Sequence, residues 1–331
     1  GAALDRLAER VLAAADTLPE HPTEFELMTA IGFLWFAEAG CDLVVVEVGL
    51  GGRLDSTNVI PAPEAAVITN IGLEHTAILG STLAAIAAEK SGILKPGCRA
   101  VLYGQSREVG EIVARACVEK NIPLTVTDDS QLTLLSSGLD GQRFTYRGSA
   151  PLLLPLLGDY QLRNAMTVLD TVDALRAQGW NISADAVAHG LAAARWPGRL
   201  ELVHRRPDLI IDGGHNPQCA QALAASLRGL YGGKKLIFLI GVLADKDWQS
   251  MVGEVLPLAK AIVTVRPESD RAKDENELAA WVRAQGVPAE AHASIGEALD
   301  AALALAGPED AVCAWGSLYS VGELRHCLGL C

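Results

Sequence analysis

The amino-acid sequence predicts an α/β protein of two domains, the first with a parallel sheet and the second smaller and doubly wound. Short runs of β-branched and other apolar residues alternate with stretches whose apolar residues recur at helical spacing. The apolar runs lack polar alternation, which is typical of strands buried on both faces of a parallel sheet. The length of 331 residues, at about 150 residues per domain, corresponds to roughly two domains.

The composition excludes several classes of protein. Half of the residues are hydrophobic and a fifth are charged, which argues against a disordered chain, a collagen or a coiled coil. The net charge of −13 argues against nucleic-acid binding, and no apolar run approaches the roughly 18 residues that span a membrane. Seven cysteines, an odd number without a C-x-x-C pair, predict neither a disulfide framework nor a zinc site, and a cytoplasmic location is expected.

The first half of the chain alternates predicted helices and strands. Residues 4–18 carry an apolar stripe at helical spacing. Thr23 and Glu26 form a capping-box pattern that opens a second helix, which ends at Gly40. Residues 43–48 are nearly all β-branched and apolar, and predict a strand buried on both faces. The remaining predicted elements are strands at 65–71 and 99–103 and helices at 82–90 and 108–120.

The pattern changes after residue 120. Short polar segments around Asp140-Gly141 predict a hairpin insertion within residues 121–150. From residue 200 the alternation restarts and predicts the doubly wound domain. Its predicted strands are 209–211, 236–240, 261–265 and 311–314, and the predicted helices beyond the hairpin are 161–178, 184–194, 217–230, 248–259, 275–284 and 296–305. The boundary is predicted near Trp196-Pro197-Gly198, which gives domains 1–196 and 197–331.

Residues that could carry chemistry follow the predicted strands of the first domain. Glu47 lies inside an apolar run, where a buried carboxylate is costly unless it is paired or binds a metal. The glycines after it permit close backbone approach to a ligand, but Leu54 replaces the third glycine of a dinucleotide fingerprint, which argues against a dehydrogenase. His75 fits either a metal or phosphate contact or a structural histidine. Lys90 ends a helix, where the dipole alone favours a cation.

The second domain repeats this arrangement. Asp212 ends a predicted strand, two glycines follow, and Pro217 opens a helix whose free N–H groups could receive an anion. Asp245-Lys246-Asp247 and Gly316-Ser317 end two further predicted strands. Since ligands bind at the carboxyl ends of strands in open α/β sheets, these clusters predict one shared ligand-binding edge.

A longer pattern identifies a family. Residues 47–58, Glu-Val-Gly-Leu-Gly-Gly-Arg-Leu-Asp-Ser-Thr-Asn, resemble the signature of the folylpolyglutamate synthase/dihydrofolate synthase family of the Mur ligase superfamily. Further segments resemble that family in the same order: Ile86-Ala-Ala-Glu-Lys90, Gln161-x-x-Asn164, Trp196-Pro-Gly-Arg199-Leu-Glu201, Asp212-Gly-Gly-His-Asn-Pro217 and Gly316-Ser-Leu-Tyr319. The resemblance covers nearly the whole chain and implies a Mur-ligase central ATPase domain followed by a Rossmann-like C-terminal domain.

The resemblance also implies an activity. It is ATP-dependent ligation of L-glutamate to the carboxylate of a folate or dihydropteroate through an acyl phosphate. The implied cofactors are ATP and Mg²⁺, with K⁺ as a further cation, because phosphoryl transfer depends on positioning and charge neutralisation. The implied partners are the folate or dihydropteroate and glutamate, with neither nucleic acid nor membrane, and the chain is expected to be a monomer.

The family's functional positions fall on particular residues. Glu47, His75 and a carbamylated Lys90 match the catalytic magnesium ligands. The matched nucleotide-binding positions are Asn164, Arg199, Asp212, His215 and Asn216. Of these, Arg199 would lie near the phosphates and Asp212 near the ribose. Leu54 and Asp55 would contact the pterin substrate, and Ser317 would face ATP or the incoming glutamate.

One part of the family pattern does not occur. The sequence has no Walker A loop, since Arg228 replaces the first glycine before the pair Gly233-Lys234. The family carries this loop in a segment that precedes the position of Gly1. The resemblance therefore implies an N-terminally truncated ligase with little activity of its own. Two alternatives stay open: a non-catalytic nucleotide- or folate-binding remnant, and another Mur-type amino-acid ligase.

Overall fold

Helices and strands alternate along residues 1–330, which the computed structural model describes. The α-helices are α1 (Ala2–Ala15), α2 (Glu24–Glu38), α3 (Thr76–Leu79), α4 (Leu83–Lys90), α5 (Arg107–Glu119), α6 (Asp159–Ala177), α7 (Ala184–Ala192), α8 (Pro217–Tyr231), α9 (Trp248–Val255), α10 (Glu275–Ala284), α11 (Ile295–Ala304) and α12 (Leu318–Cys327). The strands are β1 (Ala65–Ile68), β2 (Arg99–Leu102), β3 (Leu124–Val126), β4 (Leu132–Gly138), β5 (Gly141–Tyr146), β6 (Leu152–Leu154), β7 (Glu201–His204), β8 (Asp208–Asp212), β9 (Leu236–Ile240), β10 (Ala259–Val265), β11 (Ala289–His292) and β12 (Ala311–Trp315).

The chain divides into two units. The first unit contains residues 1–127 and 167–181, and the second contains residues 128–166 and the chain from residue 182 onward. This division differs from the boundary predicted at residue 196, because the hairpin segment and α7 pack with the second unit. Leu157, for example, lies in the same apolar core as Ile210 of β8 and Phe238 of β9.

The first unit contains a small parallel sheet. Its strands are ordered β1-β2-β3, and neighbouring strands run parallel, as predicted for β1 and β2. Its core combines side chains of the strands, such as Ile68 and Leu102, with Val109 and Val113 on the apolar face of α5. Helices α1, α4 and α5 confirm the predicted helical periodicity.

The strand predicted at residues 43–48 is wrong. These residues form neither helix nor strand, and Val45 is 92% exposed. A strand requires a hydrogen-bonding neighbour, and within the described residues β1 pairs with β2 alone. Glu47 is correspondingly an exposed carboxylate rather than a buried one, so the cost of burial does not argue for a metal at this residue.

Helix α2 forms where the sequence predicts it. Thr23 and Glu26 make the reciprocal capping box, in which each side chain accepts a hydrogen bond from the other residue's backbone N–H. Although the helix is rich in apolar residues, none of them is buried among the described residues, and Met28 and Trp35 are exposed. The pattern therefore predicts the helix correctly without predicting how deeply its side chains are buried.

The hairpin insertion is confirmed. Strands β4 and β5 pair antiparallel around the tight turn at Asp140-Gly141, and β6 adds to the other side of β5. Phe144 and Tyr146 of β5 and Leu152 of β6 are buried, while the residues between them are more exposed. This alternation is that of an antiparallel sheet with one covered face.

The second unit contains the predicted doubly wound sheet. Its six strands are ordered β11-β10-β9-β12-β8-β7, and all pairs are parallel except that of β7 with β8. Successive side chains of one strand enter two different cores: Phe238 and Ile240 contribute to one, and Ile237 and Leu239 to the other. Helices therefore cover both faces, which explains why these strands read as continuous apolar runs.

Two further findings bear on the sequence predictions. No helix within residues 1–330 is long and apolar enough to cross a membrane. The cysteines at 41, 98, 117, 219, 313 and 327 are all free thiols.

The hairpin turn provides a test of the fold. Gly141 has φ +110°, and a Cβ there would lie 2.6 Å from the carbonyl oxygen of Leu154 and 2.9 Å from Cα of Pro155. We expect Gly141→Ala to lower the free energy of unfolding by more than about 2 kcal/mol, because backbone strain adds to a backbone clash. The matched control is Gly148→Ala, where φ is +74° and the space is open, and its cost should stay near 1 kcal/mol. Equal losses in urea unfolding would contradict the clash.

Candidate functional site

Asp212 is the centre of the candidate site in the second unit. It ends β8, and its buried carboxylate accepts two backbone hydrogen bonds: Oδ2 from Leu200 N at 2.9 Å and Oδ1 from Gly214 N at 2.7 Å. Burial raises the pKa of Asp212, and these two hydrogen bonds together with the nearby charges of Arg199 and His215 oppose that rise. The carboxylate thus joins two loops at the carboxyl end of one strand.

The first of these loops is the turn at residues 198–200, which carries Arg199. Gly213 N donates to Gly198 O at 2.7 Å, and Leu200 adopts a left-handed backbone with φ +45°. The guanidinium of Arg199 lies over Gly213, where a Cβ would come within 3.3 Å of Nη1. The structure therefore brings together Arg199 and Asp212, two residues at which the family resemblance predicts nucleotide binding.

The second loop leads into α8. Asn216 caps this helix, since its Oδ1 accepts a hydrogen bond from Cys219 N at 2.7 Å, and Pro217 occupies the first turn as predicted. His215 Nδ1 donates to Gly213 O at 3.0 Å. Gly214 is required here because a Cβ would lie 2.7 Å from Asp212 Oδ1. These contacts fix the loop that carries His215 and Asn216, and His215 lies near the charge of Asp212.

Helix α6 contributes further polar residues within this unit. Asn164 is exposed and donates through Nδ2 to Oε1 of the buried Gln161 at 2.8 Å. The neighbouring Tyr160 lies near Asp212 and Arg199, and burial, followed by the charge of Asp212, raises the pKa of its phenol. Tyr160 was not among the predicted site residues, although its position directly before Gln161 pointed to this region.

A cavity lies beside the turn at residues 198–200. Its volume is about 620 Å³, and its lining includes Trp196, Arg199 and the residues of β7, among them Glu201. Arg199 and Leu200 both line this cavity, and Leu200 N also donates to Asp212. The turn therefore borders both the cavity and the buried carboxylate.

Ser317 has a structural contact of its own. It is almost fully buried, and its Oγ caps α12 by accepting a hydrogen bond from Tyr319 N at 3.1 Å. Gly316 before it has φ +115°, and a Cβ there would approach Gly241 O at 2.7 Å. The hydroxyl of Ser317 therefore shapes the carboxyl end of β12, and its contact with substrate stays a prediction.

In the first unit the glycine-rich turn packs against the end of α4. Arg53 N donates to Glu89 O at 3.0 Å, and the Arg53 guanidinium forms an ion pair with the Glu89 carboxylate. A Cβ at Gly52 would lie 3.0 Å from Lys90 O, and one at Gly92 would lie 2.3 Å from Cβ of Arg53. These close approaches explain the glycines and bring the turn to the backbone of Lys90.

Asp55 holds this turn in shape. Its Oδ2 accepts from Leu50 N at 2.8 Å, and its Oδ1 accepts from Thr57 N at 2.9 Å and from the Thr57 hydroxyl at 2.5 Å. Burial raises the pKa of Asp55, but hydrogen bonds from Thr57, Leu50 and Gly49 outweigh burial, so the pKa is lowered. Leu54 is 79% exposed. The contacts of Leu54 and Asp55 with substrate stay predictions.

The predicted metal ligands do not form a preformed cage. Glu47 and His75 are exposed, His75 has a left-handed φ of +51°, and Lys90 is the last residue of α4. Within residues 1–330 no three His, Cys, Asp or Glu side chains are grouped as metal ligands. This donor set fits Mg²⁺ only in its usual mode, in which one or two carboxylates act together with water and phosphate oxygens.

Models of two families match the chain. The Mur ligase middle domain matches residues 11–172, and the Mur ligase glutamate ligase domain matches residues 198–318. The dihydrofolate synthase/folylpolyglutamate synthase of Escherichia coli is 31% identical over 353 aligned residues, which cover 98% of this chain and 78% of that protein. Three other curated relatives are 36% identical, and the chain spans between 37% and 64% of their length.

Solved structures of these enzymes share the fold. Mycobacterium tuberculosis folylpolyglutamate synthase, solved with ADP and AMPPCP, has a TM-score of 0.86 and 31% identity, with 99% of this chain and 79% of that chain covered. A bifunctional folylpolyglutamate synthase/dihydrofolate synthase of Yersinia pestis, solved with AMPPNP and an Mn ion, has a TM-score of 0.82 and 28% identity, with coverage of 99% and 76%.

The structural role of Asp55 can be tested by its pH dependence. Since the folded-state pKa is lowered, the charged carboxylate stabilises the fold above the unfolded-state pKa, and this stabilisation is lost as pH falls through the folded-state pKa. We expect Asp55→Asn to lose about 1–2 kcal/mol of unfolding free energy at pH 7 and progressively less in acid. The exposed Asp42→Asn is the control. A loss in urea unfolding that does not change with pH would contradict this role.

Proposed function

Because this chain belongs to the folylpolyglutamate synthase/dihydrofolate synthase family of Mur ligases, we propose that it serves the ATP-dependent ligation of L-glutamate to the carboxylate of a folate or dihydropteroate. One observation carries most of the proposal: the backbone on both sides of Arg199 is fixed to Asp212 and Gly213 at the carboxyl end of β8. This is the edge at which open α/β sheets bind ligands, and a fixed cation there suits a polyphosphate.

The proposed reaction has two steps. An oxygen of the substrate carboxylate attacks the γ-phosphorus of ATP, and ADP leaves with the electrons of the broken P–O bond. The amine of glutamate then attacks the carbonyl carbon of the acyl phosphate, and phosphate leaves as the amide forms. ATP is needed because a carboxylate is a poor electrophile, whereas phosphate is a good leaving group.

The residues of the second unit would bind the nucleotide. Asp212 would accept a ribose hydroxyl through a lone pair that its two backbone hydrogen bonds leave available, and Arg199 would donate to the phosphates. Asn164 would complete the nucleotide contacts, and His215 and Asn216 would face ATP or the incoming glutamate. Because the backbone on both sides of Arg199 is already ordered, binding costs less conformational entropy than it would at a mobile loop.

The first unit would supply the metal and the pterin contacts. Glu47, His75 and a carbamylated Lys90 would hold Mg²⁺, whose charge neutralises the phosphates during transfer. Carbamylation converts the Lys90 cation into an anionic oxygen donor, the type that Mg²⁺ prefers. Leu54 and Asp55 would lie beside the pterin, Ser317 near the incoming glutamate, and K⁺ would act as a further cation.

The protein would act as a cytoplasmic monomer, and its sequence domains would be residues 1–196 and 197–331. Nucleotide binding without turnover would instead favour the non-catalytic remnant, and turnover with a UDP-sugar substrate but not with a folate would favour another Mur ligase.

Arg199 provides the first test of the nucleotide site. We expect Arg199→Ala to raise the Kd for AMPPNP at least about tenfold, because a charge-assisted hydrogen bond to phosphate is lost. The matched control is Arg228→Ala, which removes an exposed arginine of α8 in the same unit. Calorimetric titration measures both, and an AMPPNP affinity unchanged by Arg199→Ala would reject the role of Arg199.

Lys90 can be tested by two measurements, the first of which does not depend on turnover. In ¹³C-bicarbonate the protein should show a carbamate ¹³C resonance that Lys90→Ala removes and that the exposed control Lys234→Ala retains. Where turnover is measured, Lys90→Ala should reduce it at least about a hundredfold, with partial rescue by a small carboxylic acid that replaces the lost anion. No carbamate resonance combined with near-normal turnover would exclude the assignment.

A further inference from the structure

We propose that Glu201 and Arg325 form a clamp that positions Arg199 for nucleotide phosphates, so that α12 controls nucleotide affinity without contacting the nucleotide. The two residues lie 124 positions apart in the sequence, Glu201 at the start of β7 and Arg325 near the end of α12. Neither was predicted as a site residue. The inference rests on the proposed function only for the identity of the bound anion, because the clamp itself is a matter of geometry.

The ion pair is well placed. Arg325 Nη1 lies 2.7 Å from both carboxylate oxygens of Glu201, and its Nη2 donates to Leu330 O at 2.8 Å. The two side chains are only 18% and 27% exposed, respectively. A pair so shielded from water is screened less than a surface pair, and the additional hydrogen bonds hold both partners in one orientation.

Glu201 connects this pair to the turn. Its Oε2, one of the two oxygens that accept from Arg325, also accepts a hydrogen bond from Gly198 N at 2.7 Å. Gly198 O in turn accepts from Gly213 N at 2.7 Å, and Leu200 N donates to Asp212. The residues before and after Arg199 are therefore fixed through their backbones, and the ion pair holds one end of that chain of contacts.

Helix α12 supports the turn along one face. A Cβ at Gly213 would lie 2.5 Å from Leu318 Cδ2, and a Cβ at Gly198 would lie 2.7 Å from Val321 Cγ1. Leu318, Val321 and Arg325 are spaced i, i+3 and i+7, the spacing of a single helix face. One face of α12 thus contacts both glycines and the carboxylate, which explains why residues 198 and 213 have no side chain.

Arg199 depends on this support. Within residues 1–330 its guanidinium has no hydrogen-bond acceptor from the protein, although it lies near the charge of Asp212. Its direction is therefore set by the backbone of the turn rather than by side-chain partners. Without the clamp the turn would be mobile, and nucleotide binding would have to order it at a cost in conformational entropy. The affinity would therefore fall although no phosphate contact is removed.

The experiment separates the clamp from the nucleotide site by two measurements. Hydrogen exchange follows the amides of residues 197–201 and 212–215, and calorimetric titration with AMPPNP gives the Kd. We expect Arg325→Ala to speed exchange in both segments at least about tenfold and to raise the Kd about tenfold, with circular dichroism unchanged. Lys260→Ala, which breaks the Lys260–Asp310 ion pair of the same unit, should leave both measurements within about twofold of the original.

Two further variants distinguish positioning from simple stabilisation. Glu201→Gln keeps an oxygen that accepts from Gly198 N, so its Kd should rise less than that of Arg325→Ala. The exchanged pair Glu201→Arg with Arg325→Glu restores opposite charges but leaves Gly198 N without an acceptor, because arginine only donates. Thermal stability should therefore recover only in part in the exchanged pair, because Gly198 N stays unpaired, while the Kd stays high.

Each outcome decides the inference. Unchanged exchange in Arg325→Ala, an unchanged Kd despite faster exchange, or an exchanged pair that restores the Kd would overturn the clamp. If the original chain does not bind AMPPNP, the proposed nucleotide site fails, and hydrogen exchange alone then decides whether Arg325 holds the turn. The two failures are therefore distinguishable.

Discussion

The candidate site depends on one buried carboxylate, that of Asp212. A buried charge is costly unless hydrogen bonds compensate it, and two backbone N–H groups from separate loops do so here. That requirement draws the turn at 198–200 and the loop before α8 to one point. The glycines at 213 and 214 fit this close packing, because a Cβ at Gly213 would lie 2.5 Å from Leu318 Cδ2 and one at Gly214 would lie 2.7 Å from Asp212 Oδ1.

Much of the fold could be predicted from local patterns. In the second unit every predicted strand lies within or beside an observed one, because strands covered on both faces read as continuous apolar runs. Strands β7 and β11 were missed since they lie at the edges of the sheet and lack such runs. The strand at 43–48 has the same apolar pattern as β9 but no pairing neighbour among the described residues, and composition cannot supply one.

The site was predictable where chemistry follows a strand end in the sequence. Asp212, the glycines after it and the capping Asn216 lie within five residues, and the structure groups them as expected. Other roles depend on tertiary contacts that no local pattern contains. Asp55 and Ser317 turn out to hold backbone N–H groups, and Arg325 reaches Glu201 from the far end of the chain.

The discontinuous first unit has a consequence for synthesis on the ribosome. Its last segment holds Thr127 through Thr167 and reaches Gly97 O through Gln178 Nε2 at 3.0 Å. After residue 127 the ribosome must add 54 more residues (181 − 127) before that segment is complete, which takes roughly 3–11 s at about 5–20 residues per second. During this interval the hydroxyl of Thr127 and the carbonyl of Gly97 lack these partners, so the first unit completes its contacts only after the hairpin segment of the second unit has been synthesised.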